Sequence, residues 1–256
     1  MPLRRFLAWL DPRRRAARGA EPELVPVVAL PPRPEPAPEM TCLLSVDDAG
    51  QCLLAAGTHL VLGHVRAARA DLLFLADVGA CHAELVRAES LRGGPSWSIA
   101  ALGEERVEVG GERVSRRALR AGDVVRLAPN LAFRFALPDP SSASPLLELL
   151  GGAECAGARR IVPLAEGAGG RLRIGAAELR HVRVANLAYE IQVEKHGARL
   201  TVRCSVPGEE EPERVHELAF PPAGRVDLSC GAARGSRPPF TLSFEPAPRP
   251  FAPGAP

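Results

Sequence analysis

An all-β fold, two β-sandwiches in tandem joined by a short linker helix, is predicted for this 256-residue chain by three observations. From residue 41 onward, short apolar runs alternate with turn residues about every eight to twelve positions, the spacing of strands in a sandwich or barrel. Over the same stretch the apolar residues show almost no helical period. A set of landmarks also recurs in the same order in the two halves of the chain, so two copies of one β fold are the economical reading.

Residues 41–46 and 51–54 are apolar runs on either side of Asp47-Asp48-Ala49-Gly50, a hairpin with glycine in its turn. Further strands are expected at 59–63, 71–75, 81–88, 96–101, 106–109, 123–127 and 131–136. Ser144-Pro145 then sets a capping hydroxyl before a proline at the first helical position, and Leu146-Leu147-Glu148-Leu149-Leu150 runs to Gly151-Gly152. That helical turn is apolar nearly all round and is expected to be buried between the flanking sandwiches. Strands resume at 159–164, 171–174, 181–185, 189–195, 198–204, 215–219, 225–228 and 239–244. In the repeat, Leu62-Gly63 answers Ile174-Gly175, and Leu72-Leu73-Phe74-Leu75 answers Val182-Arg183-Val184. Glu84-Leu85-Val86 answers Glu190-Ile191-Gln192-Val193, and the turn before Val124-Val125-Arg126-Leu127 answers the turn at Gly224. Phe133-Arg134-Phe135 answers the run from Phe240 to Phe244.

The expected organisation is a basic, proline-rich leader over 1–40, a sandwich over 41–137, a linker over 138–157, a second sandwich over 158–246 and a proline-rich tail over 247–256. The formal net charge of +2 offers no strong field for nucleic acid, and Lys195 is the sole lysine. No apolar run approaches the roughly 18 residues of a membrane span. The six cysteines show no C-x-x-C pair, which points to thiols in a reducing compartment. The apolar stretch near the start is shorter than the roughly seven to fifteen residues of a signal sequence, so a cytoplasmic protein is expected.

The landmarks in this order resemble the forkhead-associated (FHA) domain. In the first copy the matching residues are Leu62-Gly63, Asp71-Leu72, Val78 with His82-Ala83-Glu84-Leu85, Val109-Gly110-Gly111, the run Leu119 to Leu127, and Phe133-Arg134-Phe135. The second copy keeps the apolar skeleton and the Gly224 turn. The resemblance implies a β-sandwich whose loops at one end bind phosphothreonine peptides, with Gly63, His82, Gly122 and Asp123 as structural residues of the frame.

A phosphate dianion asks for a guanidinium fork and a hydroxyl, and the peptide backbone for an amide side chain. The family's Arg position holds His64 here, its Ser position Gly79 and the following Arg position Ala80, while the region of its Asn reads Glu104-Glu105-Arg106. In the second copy Ala176 takes the Arg position and Asn186-Leu187-Ala188 the Ser loop. The phosphate-reading groups are thus replaced, and acids stand where phosphate would approach. Arg66 and Arg69, in the loop of His64, are the candidates to restore a guanidinium.

Cys81-His82 does not read as a nucleophile pair, because adjacent strand residues point to opposite faces. The six histidines lack metal-ligand spacing, and the glycine-rich turns lack a Walker-type lysine. The expectation is a non-enzymatic adaptor without cofactor or metal, built from degenerate FHA-like domains. It would bind protein partners independently of phosphate, as a component of a larger assembly. The alternative is a phosphothreonine reader acting through Arg66 or Arg69.

Overall fold

The computed structural model describes residues 41–67, 69–89, 95–165, 169–207, 214–230 and 240–248. The expected leader over 1–40, the acidic run at 209–213 and most of the expected tail lie outside these residues. The first half supplies β1 (Thr41–Val46), β2 (Gly50–Ala56), β3 (His59–His64), β4 (Leu72–Phe74), β5 (Ala83–Glu89) and β6 (Pro95–Ala101). It continues with β7 (Val107–Val109), β8 (Glu112–Val114), β9 (Arg116–Ala118), β10 (Val124–Ala128) and β11 (Leu131–Ala136). The second half supplies β12 (Leu146–Leu149), β13 (Arg160–Leu164), β14 (Arg171–Gly175), β15 (Val182–Arg183) and β16 (Glu190–His196). It ends with β17 (Arg199–Ser205), β18 (Arg214–Ala219), β19 (Val226–Cys230) and β20 (Phe240–Pro246). The all-β class is as expected, and among the described residues no helix is long and apolar enough to cross a membrane.

The repeat is visible in strand order. One five-stranded sheet runs β4-β3-β5-β6-β9 and the other β15-β14-β16-β17-β18, each with one parallel pair at the same end. Between them lies one ten-stranded sheet, β19-β20-β1-β2-β13-β12-β11-β10-β7-β8. The opening hairpin of each half pairs with the closing strand of the other: β1 with β20, and β12 with β11. The two hairpins meet in the middle through a parallel β2–β13 pair. The boundary expected between two sandwiches therefore falls inside a continuous ladder.

This arrangement explains why the hairpins read as unbroken apolar runs. In a strand, neighbours point to opposite faces, and here both faces are covered. Leu43, Leu53, Leu147 and Ile161 enter one core with Leu60, Leu62, Leu85 and Ile99 of the first five-stranded sheet. Their neighbours Cys42, Leu44, Leu54 and Val162 enter a second core with Leu172, Ile174, Ile191 and Val202. The five-stranded sheets thus lie on opposite faces of the shared wall.

The linker helix expected at 144–150 is instead strand β12. Leu146, Leu147 and Leu149 are buried, as expected, but on two faces of a strand that pairs with β11 and β13. A short run apolar on all sides fits either element, and here the ladder on both sides decides for the strand. The preceding segment is also tied down rather than loose. Trp97 donates from its indole nitrogen to Ala143 O at 2.9 Å, and Ser142 Oγ donates to Arg171 O at 2.6 Å. Polar composition suggests a free connection, but Ser141, Ser142 and Asp139 are spent on internal hydrogen bonds.

Cys204 and Cys230 form a disulfide, with Cα atoms 6.0 Å apart, so the expectation of six thiols is corrected. The pair connects β17 to β19 across the second core at a separation normal for a bridge. Cys42, Cys52, Cys81 and Cys155 are free.

Candidate functional site

The expected site residues of the first copy gather at one end of its five-stranded sheet, in the loops after β3, β4 and β6. Gly63 permits this gathering: a Cβ there would collide with the Ala80 carbonyl, so only glycine lets the 79–81 loop lie against β3. His64 N–H then donates to Gly79 O at 3.0 Å, and the turn beyond it closes with Ala67 N–H to His64 O at 2.8 Å.

His82 fastens the three loops from within. It is 2% exposed. Its Nδ1 accepts from Gly79 N–H at 3.2 Å, and Nε2 meets Arg106 O at 2.8 Å. Its carbonyl accepts from Leu102 N–H at 3.0 Å.

Glu105 occupies the space in front of Gly79. A Cβ on Gly79 would meet the Glu105 carboxylate, and the other carboxylate oxygen lies 3.1 Å from His82 Nδ1. The position expected to carry a hydroxyl donor therefore faces a carboxylate of the protein itself. Arg66, Arg69, Ala80 and Arg106 are exposed around it, and Arg66 N–H donates to His64 Nδ1 at 3.2 Å. Gly122 and Asp123 sit apart, in the turn before β10. There Gly122 has φ +94° and Asp123 accepts from Arg120 N–H at 2.8 Å.

The second copy holds a different cluster, which the sequence reading did not single out. Strand register sets Leu62 opposite Ala83 and Ile174 opposite Ile191, so Glu190, not Ala188, stands where His82 stands. The sequence alignment of Glu84 with Glu190 was thus two residues out of step. Glu190 is forked by Arg173 and by Arg180, the latter at 3.1 Å, and Arg173 also reaches Asp139 at 3.3 Å. Burial works against the charge of Asp139, but the Ser141 hydroxyl and amide and the Arg173 guanidinium outweigh it and hold the carboxyl below its ordinary range. Beside it, His181 accepts Arg173 N–H at Nδ1 (3.2 Å) and meets Ser144 O through Nε2 (2.8 Å). Burial holds this ring below the usual histidine range, against the pull of the Ser144 carbonyl and Asp139. Both loop ends therefore place a carboxylate of the chain among the groups that would meet an incoming anion.

Buried thiols add no reactivity. Burial pushes Cys52 and Cys155 up to about 12 and Cys42 higher still, so none is a thiolate at neutral pH.

No protein-family model matches the chain, and no curated protein matches it. Among solved structures, the Slr1951 protein from Synechocystis sp. aligns at 23% identity over 38% of this chain and 95% of that one, with a TM-score of 0.29.

Proposed function

We propose that this chain is a non-enzymatic scaffold that binds protein partners without reading phosphothreonine, on a frame that resembles the FHA domain twice over. The observation that carries the reading is Glu105. Its carboxylate lies over Gly79 and against His82, in the seat that phosphate would need. A phosphate entering there would meet like charge, no hydroxyl at Gly79 and no guanidinium at His64. Each charge-assisted bond so lost costs about 1.5–3 kcal/mol, and two or three of them exceed what a micromolar complex can spare. The second copy supports the same reading, because the two guanidinium groups near its loop end are already engaged by Glu190.

Titration calorimetry with a degenerate phosphothreonine peptide library and its unphosphorylated control tests this. The expected outcome is equal, negligible heat from both. Tight phosphate-dependent binding that disappears in Arg66→Ala or Arg69→Ala would overturn the reading and assign the chain to phosphopeptide recognition.

A further inference from the structure

The two copies differ at the outer edges of the ten-stranded sheet. In the first, β10 is followed by β7 and β8, and Val107 and Val109 of β7 are fully buried beside Val125. In the second, β19 takes the place of β10 and is the last strand of the sheet among the described residues. Leu228 pairs with Leu242 as Val125 pairs with Phe133. Yet Leu228, with Leu218 of the facing sheet, is only partly buried against its core.

The backbone of β19 faces outward at defined positions. Thr241 N–H donates to the Asp47 carboxylate at 2.9 Å and its carbonyl accepts from Asp47 N–H at 3.4 Å, both away from β19. Opposed residues of an antiparallel ladder exchange both bonds or neither. Ser229, opposite Thr241, therefore turns its N–H and C=O outward, and so does Asp227 two residues away. Arg214 already reaches out to the Ser229 carbonyl at 3.2 Å. In the first copy the corresponding outward carbonyl is that of Val124, which accepts from Gly110 N–H at 2.9 Å while Val109 lies opposite Val125. Edge strands are commonly guarded by lysine or proline, and β19, Val-Asp-Leu-Ser-Cys, carries neither.

We propose that the outer edge of β19 is a strand-addition site for an extended segment of a protein partner. The segment runs antiparallel to β19 with β-branched residues at alternate positions, as Val107-Glu108-Val109 does on β10. Main-chain bonds to Asp227 and Ser229 hold it, and a side chain over Leu228 selects it. The internal precedent defines the chemistry of the occupant: two apolar residues facing the core and a polar one between them facing solvent. This inference rests on the chain being a protein-binding scaffold and names the surface it would use.

The test uses a synthetic, unphosphorylated peptide of residues 105–115, fluorescently labelled, titrated into the full chain by anisotropy. Saturable binding is expected, with a scrambled peptide silent. Ser229→Pro removes only an outward N–H, which an edge strand tolerates, and should weaken binding about tenfold or more. A peptide N-methylated at Gly110 should lose affinity equally, and this arm needs no variant of the protein. No binding to the wild type, or binding unchanged by both modifications, overturns the proposal. Concentration-dependent dimerisation of the chain, abolished by Ser229→Pro in sedimentation, would assign the edge to another molecule of the same chain and overturn the partner. Because the probe carries no phosphate, its failure is distinct from failure of the phosphothreonine test.

Discussion

Beyond β10 the first copy continues into β7 and β8. Beyond β19 the second copy has, among the described residues, no further strand, but Cys230 is bonded to Cys204. The first copy closes its end by burying Val107 and Val109, the second by a covalent link. The loop ends differ in the same sense: a buried histidine anchors one, and a carboxylate forked by two arginines anchors the other. A shared ladder thus tolerates unlike solutions at its extremities, because the exchanged hairpins in the middle hold both cores at once. Divergence is cheap at the rim and costly at the wall.

The largest expected effect lies in that wall. Leu147 opens the second copy by sequence but is fully buried in the first core. Leu147→Ala should cost about 2–5 kcal/mol, and Leu147→Asp should prevent folding of both copies. Urea unfolding in a Trp9→Phe background, followed by Trp97 emission and by far-ultraviolet dichroism, should give one coincident transition, shifted as a whole in Leu147→Ala. Two transitions, with only the first moved, would mean that the copies are independent and that the exchange carries little energy.

Much of the ladder was legible in sequence because alternation and turn residues set strand positions locally. What escaped has physical causes. β8 and β9, Glu112-Arg113-Val114 and Arg116-Arg117-Ala118, carry too few apolar residues to show a period, although Gly110 and Gly111, both at positive φ, mark the hairpin into β8. Leu146 to Leu149 is apolar on both sides because it is walled on both sides, which no local pattern separates from a buried helix. The doubled Cys-Leu-Leu of β1 and β2 was the one hint that these strands bury two faces. At the site, the substitutions at His64 and Gly79 were visible through the resemblance alone. The Glu105–His82 contact and the Glu190 fork join residues distant in the chain, and only the fold brings them together. Nothing in the spacing of six cysteines singled out Cys204 and Cys230.

A second prediction isolates the covalent closure. The disulfide spans 26 residues, and a loop of that size contributes about 3.5 kcal/mol in the chain-entropy account. Cys230→Ser should lower the urea midpoint correspondingly, and strong reductant should lower the wild type to match while leaving the variant unchanged. Unfolded, unreduced protein should titrate the four free thiols, Cys42, Cys52, Cys81 and Cys155. Six thiols without reduction would show that packing alone closes the second copy, and the contrast between the two ends would narrow to β7 and β8.

The smallest expected effect compares Asp71 with His181. Each precedes the strand that pairs in parallel at the edge of its five-stranded sheet, and each accepts one backbone N–H: Val61 to Asp71 at 2.7 Å, Arg173 to His181 at 3.2 Å. The histidine adds a pH dependence of its own. Arg173 and Arg180 face it, Asp139 opposes them, and burial dominates, so the folded chain keeps the ring neutral below the usual histidine value of about 6.5. The unfolded chain then takes up the proton first as pH falls. Stability from this source is fully present above about 6.5 and declines below it until the folded ring is itself protonated. The depressed Asp139 carboxyl acts in a separate window: its contribution is present above 3.8 and is lost as pH falls below that. His181→Asn keeps an acceptor for Arg173 N–H and removes the titration. Urea midpoints measured from pH 7 to 5 should therefore fall less steeply in the variant than in the wild type, even though the variant is less stable at pH 7 for want of the bond to Ser144. Parallel slopes would mean that the histidine shares the ordinary titration of the unfolded chain, and that Asp71 and His181 differ in charge but not in consequence.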